Sequence, residues 1–171
     1  IKEEATRDSA SRVLNFLSGH TDLIFGGSAD VFSASKNYIS DGGDFRKDNY
    51  AGRNIWFGVR EHAMGAILNG IATIGYLPYG STFLAFSDYL MPAIRMSALM
   101  KLPVTYIFTH DSIYVGEDGP THQPTNQLSS LRSIPNLVVY RPADFKEALG
   151  VFNAAIVLKK PSAIILSRQK V

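Results

Sequence analysis

The sequence contains no cysteine. Disulfides and thiolate metal sites are thereby excluded, and nothing points to an oxidising compartment. No uninterrupted apolar run reaches the roughly 18 residues of a membrane span, and no signal-peptide pattern is present. Charge of either sign is scarce and nearly balanced, with 17 Lys+Arg against 15 Asp+Glu and a net charge of +2. No run of Lys or Arg exceeds two residues. Neither nucleic acid nor membrane is therefore expected as the main partner, although a local cationic pocket stays open. Cytoplasmic placement is the default. There is no internal repeat and no low-complexity tract.

What is present suits one globular domain spanning 1–171. At 46% apolar and 19% charged residues, the chain has material for a real core. A chain of this size buries roughly 68–70% of its unfolded surface. It opens on Ile1-Lys2-Glu3-Glu4 and stops after Arg168-Gln169-Lys170-Val171, which suits an excised segment of a longer chain as well as a trimmed protein.

Periodicity orders the elements. Ala10, Val13, Leu14 and Leu17 form one helical stripe over 4–18. Leu23-Ile24-Phe25 reads as a short buried strand closed by Gly26-Gly27. Residues 33–53 are polar and Gly-rich, and so long a loop is usually functional or disordered. Ile55-Trp56-Phe57 is a second strand. Ala63, Met64, Ile67, Leu68, Ile71 and Ile74 predict a helix over 60–74. Residues 76–82 are extended or turning. A helix is expected over 85–100, with Pro92 kinking it or sitting near its start. Val104 to Thr109 is a continuous β-rich run, as in a strand covered on both faces of a parallel sheet. Strands at 137–140 and 163–166 bracket a helix over 143–158, whose face carries Phe145, Ala148, Leu149, Phe152, Ala155 and Ile156. This alternation implies an α/β fold with a mainly parallel sheet. In such folds ligand loops gather beyond the carboxyl ends of the strands. The stretches 26–35, 57–61, 80–86, 110–122 and 167–168 occupy those places and hold nearly all the unusual polar residues.

Several of these residues admit two readings. Glu61 stands where a strand passes into a helix; it is either a helix-start carboxylate or a carboxylate aimed at a ligand. His62 beside it reads as structural. Phe83, Phe86 and Tyr89 recur every third residue, as a core stripe or as a platform for a flat heteroaromatic ligand. His110, Asp118 and His122 belong to a stretch that could be a surface turn cluster, a metal site of no standard spacing, or a pocket for a polyhydroxylated anion. Arg7 and Arg168 are either solvated or placed for bidentate phosphate recognition.

The segments GGSAD at 26–30, GVREHAMG at 58–65, PYGSTF at 78–83, THDSIYVGEDGPTHQP at 109–124, RPAD at 141–144 and LSRQ at 166–169 stand in one order along the chain. Together they resemble transketolase, over essentially the whole chain; the 109–124 stretch is the most specific. The resemblance implies a three-layer domain of the thiamine diphosphate-binding fold, of the pyrimidine type. It implies that this domain packs against the diphosphate-binding domain of a second subunit in a homodimer of the pentose phosphate pathway, with thiamine diphosphate between them. Glu61 would contact the pyrimidine nitrogen, its proton promoting the tautomer that activates the cofactor. Phe86 would stack on the pyrimidine, Phe83 and Tyr89 would complete the aromatic pocket, and Asp30 would lie close by.

On the same resemblance His110 reaches substrate phosphate or hydroxyl, Asp118 reads the hydroxyl next to the reacting carbon, and His122 stands near the transferred carbonyl for proton transfer. Arg7 and Arg168 would clamp the phosphate of xylulose 5-phosphate or ribose 5-phosphate, joined by Ser33 or Ser35. Family members usually read SADLTPSN where this chain reads SADVFSASKN, which leaves the choice of serine open. The GDG…N motif that holds Mg²⁺ or Ca²⁺ and the diphosphate does not occur here. The chain is therefore expected to bind no metal itself and to be inactive alone. Dihydroxyacetone synthase, 1-deoxyxylulose-5-phosphate synthase and the β subunits of 2-oxo acid dehydrogenases share parts of this pattern. A non-catalytic dimerisation domain and a metal-dependent hydrolase are the readings from other classes.

Overall fold

The computed structural model describes residues 3–171. Its strands are β1 (Ile24–Ser28), β2 (Asn54–Trp56), β3 (Leu77–Phe83), β4 (Thr105–Thr109), β5 (Val138–Tyr140) and β6 (Ser162–Ile165). They form one six-stranded sheet in the order β2-β1-β3-β4-β6-β5. Every pairing is parallel. The helices are α1 (Thr6–Ser18), α2 (Phe32–Ser35), α3 (Glu61–Thr73), α4 (Met91–Met100), α5 (Gln127–Arg132) and α6 (Phe145–Leu158). Among the described residues, no helix is long and apolar enough to cross a membrane.

The period of two along the central strands divides the core into two layers. Tyr106 and Phe108 of β4, with Ala163 and Ile165 of β6, pack with Met64 and Leu68 of α3 and Ala93 and Ile94 of α4. The alternate residues Ile107 and Ile164 face the other way, onto Val13 and Leu14 of α1 and Phe152 of α6. Val104, Tyr106, Ile107 and Phe108 are all buried because both faces of β4 are covered. The three-layer α/β architecture expected from the sequence is present.

Several elements differ from the sequence reading, among them the short helix α2, which begins a stretch read as loop. Gly26 and Gly27 do not close β1; the strand continues through them to Ser28. They are glycine because neighbouring backbones leave no room. A Cβ at Gly26 would fall 1.9 Å from the Tyr79 carbonyl oxygen, and one at Gly27 would fall 1.9 Å from that of Ile55. On α3 the inward face is narrower than the apolar stripe: Met64, Leu68 and Ala72 are buried, while Ile67 and Ile74 are exposed. The expected helix over 85–100 is two pieces, a 3₁₀ segment Leu84–Tyr89 and then α4, with Pro92 in its first turn. Finally, α5 has no clear apolar period, and the sequence reading passed over it.

The long polar segment after α2 is ordered by side chains reaching out from the sheet. Asn54 accepts from the Ile39 amide at 2.9 Å and donates to the carbonyls of Ile39 at 2.9 Å and Gly43 at 3.0 Å. The Tyr79 hydroxyl donates to the Asn37 carbonyl at 2.7 Å. These bonds satisfy loop backbone that would otherwise be buried unpaired.

The strand order sets the place of a ligand. From β1 the chain winds to β2 on one side and then to β3 on the other, so the winding reverses between β1 and β3. In open parallel sheets the crevice beyond the carboxyl ends at such a reversal is the ligand site.

Candidate active site

At that end of the sheet the chain leaves β2 through Gly58, whose φ of 64° lets the backbone reverse into α3. The Arg60 guanidinium donates to the Phe57 carbonyl at 3.0 Å and stiffens the turn. Glu61 is thereby the first residue of α3 and is buried. No side chain caps the start of this helix.

Opposite stands the aromatic series. Residues 84–89 are 3₁₀, and at three residues per turn side chains three apart eclipse. Phe83 and Phe86 therefore stack, with centroids 5.8 Å apart and planes 23° apart, and Phe86 and Tyr89 follow at 6.2 Å. Exposure rises along the series, from 8% at Phe83 to 65% at Tyr89. Glu61, Arg60 and His62 from the start of α3 and Phe86 and Tyr89 from the 3₁₀ segment line one open cleft of about 740 Å³. Phe83 does not line it. Its ring lies under Phe86 and 3.8 Å from the His110 ring, so it seats other site residues instead.

His110 follows β4 with a left-handed backbone, φ 59°, which turns its ring back onto Phe83. It is buried, shares a 2.9 Å hydrogen bond between Nδ1 and Thr109 Oγ1, and holds Nε2 3.8 Å from an Asp118 carboxylate oxygen. Burial, aided by the positive charge of Arg7, pushes His110 down to about 4 against the opposing pull of Asp118. The imidazole is neutral at neutral pH. His122 brings its ring to 5.1 Å from Phe86 and 5.8 Å from Phe83. It therefore lies against Phe86, which lines the cleft, and Phe83, which seats His110.

Arg7 and Arg168 lie near enough to His110 for their charges to act on it. Arg7 donates to the Ala34 carbonyl at 2.9 Å and Arg168 to Glu117 at 3.0 Å. Burial weakens the hold of Arg7 on its proton; Asp8 opposes this and the neighbouring Arg168 charge adds to it. Among the described residues, the buried Nε of Arg7 finds no hydrogen-bond partner. Ser33 is exposed on α2, whereas Ser35 is fully buried and shares a 3.2 Å hydrogen bond with Ser81. Asp30 stands exposed beyond β1, at φ 64°, outside the lining of the Glu61 cleft.

The structure thus brings part of the candidate set together in two areas, while Asp30 stands outside the cleft and Ser35 is bonded to Ser81. One area is an aromatic cleft with a buried carboxylate. The other is a polar cluster of Arg7, Asp118, His122 and Arg168 around His110. Among the described residues, no three His, Asp or Glu side chains converge as a metal-ion site. Arg60 and His62 line the cleft without having been singled out as binding residues; their place beside Glu61 in the strand-to-helix turn was the available signal. Asp111 was also passed over. It takes two hydrogen bonds from Arg141, at 2.7 and 3.2 Å, and so ties the His110 loop to the segment after β5.

Residues 2–171 match the family described as transketolase, pyrimidine binding domain. A transketolase of Geobacillus stearothermophilus is 55% identical over 172 residues, which is 99% of this chain and 26% of that protein. The solved transketolase of Campylobacter jejuni is 50% identical with a TM-score of 0.95, covering 99% of this chain and 26% of that one. The Pichia stipitis transketolase in complex with sedoheptulose-7-phosphate is 43% identical with a TM-score of 0.97, covering 100% and 26%. The chain spans about a quarter of the length of the relatives it matches. With the family pattern running from residue 2 to residue 171, this chain belongs to the transketolase family as its pyrimidine-binding domain.

Proposed function

We propose that this chain is one domain of a longer polypeptide and supplies the aminopyrimidine half of a ketol-transfer site. The reaction moves a two-carbon unit from a ketose phosphate such as xylulose 5-phosphate to an aldose phosphate such as ribose 5-phosphate. The observation that carries this reading is the cleft in which the buried Glu61 faces the same space as Phe86 and Tyr89.

These residues fit the aminopyrimidine of thiamine diphosphate. A flat heteroaromatic ring finds an aromatic face for offset stacking, and its ring nitrogen finds a carboxyl group for a hydrogen bond. When bound, the cofactor supplies the electron sink that the two-carbon unit needs. Glu61 holds a proton at the ring nitrogen, Phe86 fixes the plane of the ring, and Tyr89 forms the outer wall. Phe83 supports Phe86 from beneath, whereas Asp30 lies outside the cleft lining and is given no contact with the ring.

The polar cluster orients the sugar. Neutral His110 hydrogen-bonds a hydroxyl or phosphate oxygen, and Asp118 accepts from the hydroxyl beside the reacting carbon. His122 moves the proton at the carbonyl oxygen. Arg7 and Arg168 hold the phosphate bidentately. Ser33 is free to join them; Ser35 is committed to Ser81. The diphosphate and its Mg²⁺ or Ca²⁺ belong to another domain, carried by the second subunit of a homodimer. The same reading places the complete enzyme in the cytoplasm.

The test is reconstitution. With its flanking domains restored and thiamine diphosphate and Mg²⁺ supplied, the polypeptide transfers ketol units from xylulose 5-phosphate to ribose 5-phosphate. The 171-residue chain alone transfers none. Transfer by the lone chain would refute the shared site. Transfer only to formaldehyde would move the assignment to dihydroxyacetone synthase.

A further inference from the structure

Thr6 and Ser167 are separated by 161 residues, and both are buried. Thr6 opens α1, and Ser167 follows β6. Their hydrogen bonds are reciprocal. The Thr6 amide donates to Ser167 Oγ at 3.0 Å, and the Ser167 amide donates to Thr6 Oγ1 at 2.7 Å. The Thr6 hydroxyl donates to Ser167 Oγ at 3.2 Å, and the Ser167 hydroxyl donates to the Gln169 carbonyl at 2.8 Å. One assignment of protons satisfies both hydroxyls completely, and such closed buried networks are rigid.

The next residue after each hydroxyl is an arginine, Arg7 on one side and Arg168 on the other. The brace extends to the first of them, whose amide donates to the Ser167 carbonyl at 3.4 Å. The Arg168 charge is felt at the Arg7 guanidinium, and like charges tend to part. The Arg7 side chain is tethered to the Ala34 carbonyl and the Arg168 side chain to Glu117. Among the described residues, the buried Nε of Arg7 has no hydrogen-bond partner.

We propose that Thr6 and Ser167 are positioning residues that set the separation of Arg7 and Arg168 for the substrate phosphate. The proposal rests on the reading of these arginines as a phosphate clamp. The brace acts through backbone, so it governs affinity for the phosphate and leaves the chemistry at Glu61 and His122 alone. Backbone contacts persist beside it, with Ala5 bridged to Lys170 and the Val171 amide donating to the Glu4 carbonyl at 3.2 Å. Loss of the hydroxyls therefore leaves the two segments paired.

The experiment uses the complete enzyme and one ketose donor with and without its phosphate. Thr6→Val, which keeps the shape and removes the hydroxyl, raises KM for the phosphorylated donor by about five- to tenfold. Turnover at saturation stays within about twofold, and KM for the unphosphorylated donor does not move. Ser167→Ala behaves alike, and Thr6→Ser restores the phosphate preference. Equal KM changes with both donors, or no change in either variant, would overturn the brace. Arg7→Ala separates the two layers of the argument. If the phosphate preference survives Arg7→Ala, the clamp fails and the brace with it. If Arg7→Ala abolishes the preference while Thr6→Val and Ser167→Ala keep it, only the brace fails.

Discussion

Glu61→Gln lowers the turnover of the complete enzyme by about 10²-fold or more while leaving it folded. The substitution keeps the volume of the side chain and a hydrogen bond to the ring nitrogen. It removes the ability to gain and lose a proton there. Glu61 is buried at the first turn of α3, and the cleft it lines offers no other carboxylate. No neighbour can take over the proton. His62 lines the same cleft but is exposed to solvent. Turnover is measured at saturating cofactor and substrate, with far-ultraviolet circular dichroism recorded beside it. Near-normal turnover in a folded protein would remove Glu61 from the chemistry, and the map of the cleft with it.

Gly27→Ala has the largest expected effect on stability. Its new Cβ would lie 1.9 Å from the carbonyl oxygen of Ile55, in the neighbouring strand β2. That obstacle is backbone, paired to β1 in register, and it yields only if the two strands separate. Overpacking against movable side chains costs about 1–3 kcal/mol, so a clash with backbone costs about 3 kcal/mol or more. The expected fall in melting temperature is about 6–12 °C. Gly150→Ala is the control. It sits within α6 with nothing within 4 Å of its Cβ, and the same change there gains about 0.5–1 kcal/mol of helix stability. A melting curve that ranks the two variants in the opposite order would contradict the packing described for β1.

Legibility in the sequence followed how local each signal is. Val104–Thr109 was readable as a doubly covered strand because burial on both faces leaves a continuous β-rich run. The end of β1 was misread because a Gly-Gly pair is ordinarily a turn signal, whereas here it answers a close approach by two other strands. The helix α5 was missed because Gln127 and Leu131 are its only fully buried side chains, too few to mark a period. In the site, the i, i+3 spacing of Phe83, Phe86 and Tyr89 marked a common side. It could not say that Phe83 turns inward to seat His110 while Phe86 borders the cleft. That division depends on the 3₁₀ segment and on the left-handed backbone at His110. The hydrogen bond between Ser35 and Ser81, on β3, was likewise invisible in the sequence. The Thr6–Ser167 brace links the two ends of the chain and leaves no local trace at all.

The most direct measurement is a crystal structure of the complete enzyme with thiamine diphosphate bound. The Glu61 carboxyl group should lie about 2.6–3.2 Å from the pyrimidine ring nitrogen, with the Phe86 ring against the face of the pyrimidine. A pyrimidine bound elsewhere, with Glu61 facing only solvent or protein, would contradict the account.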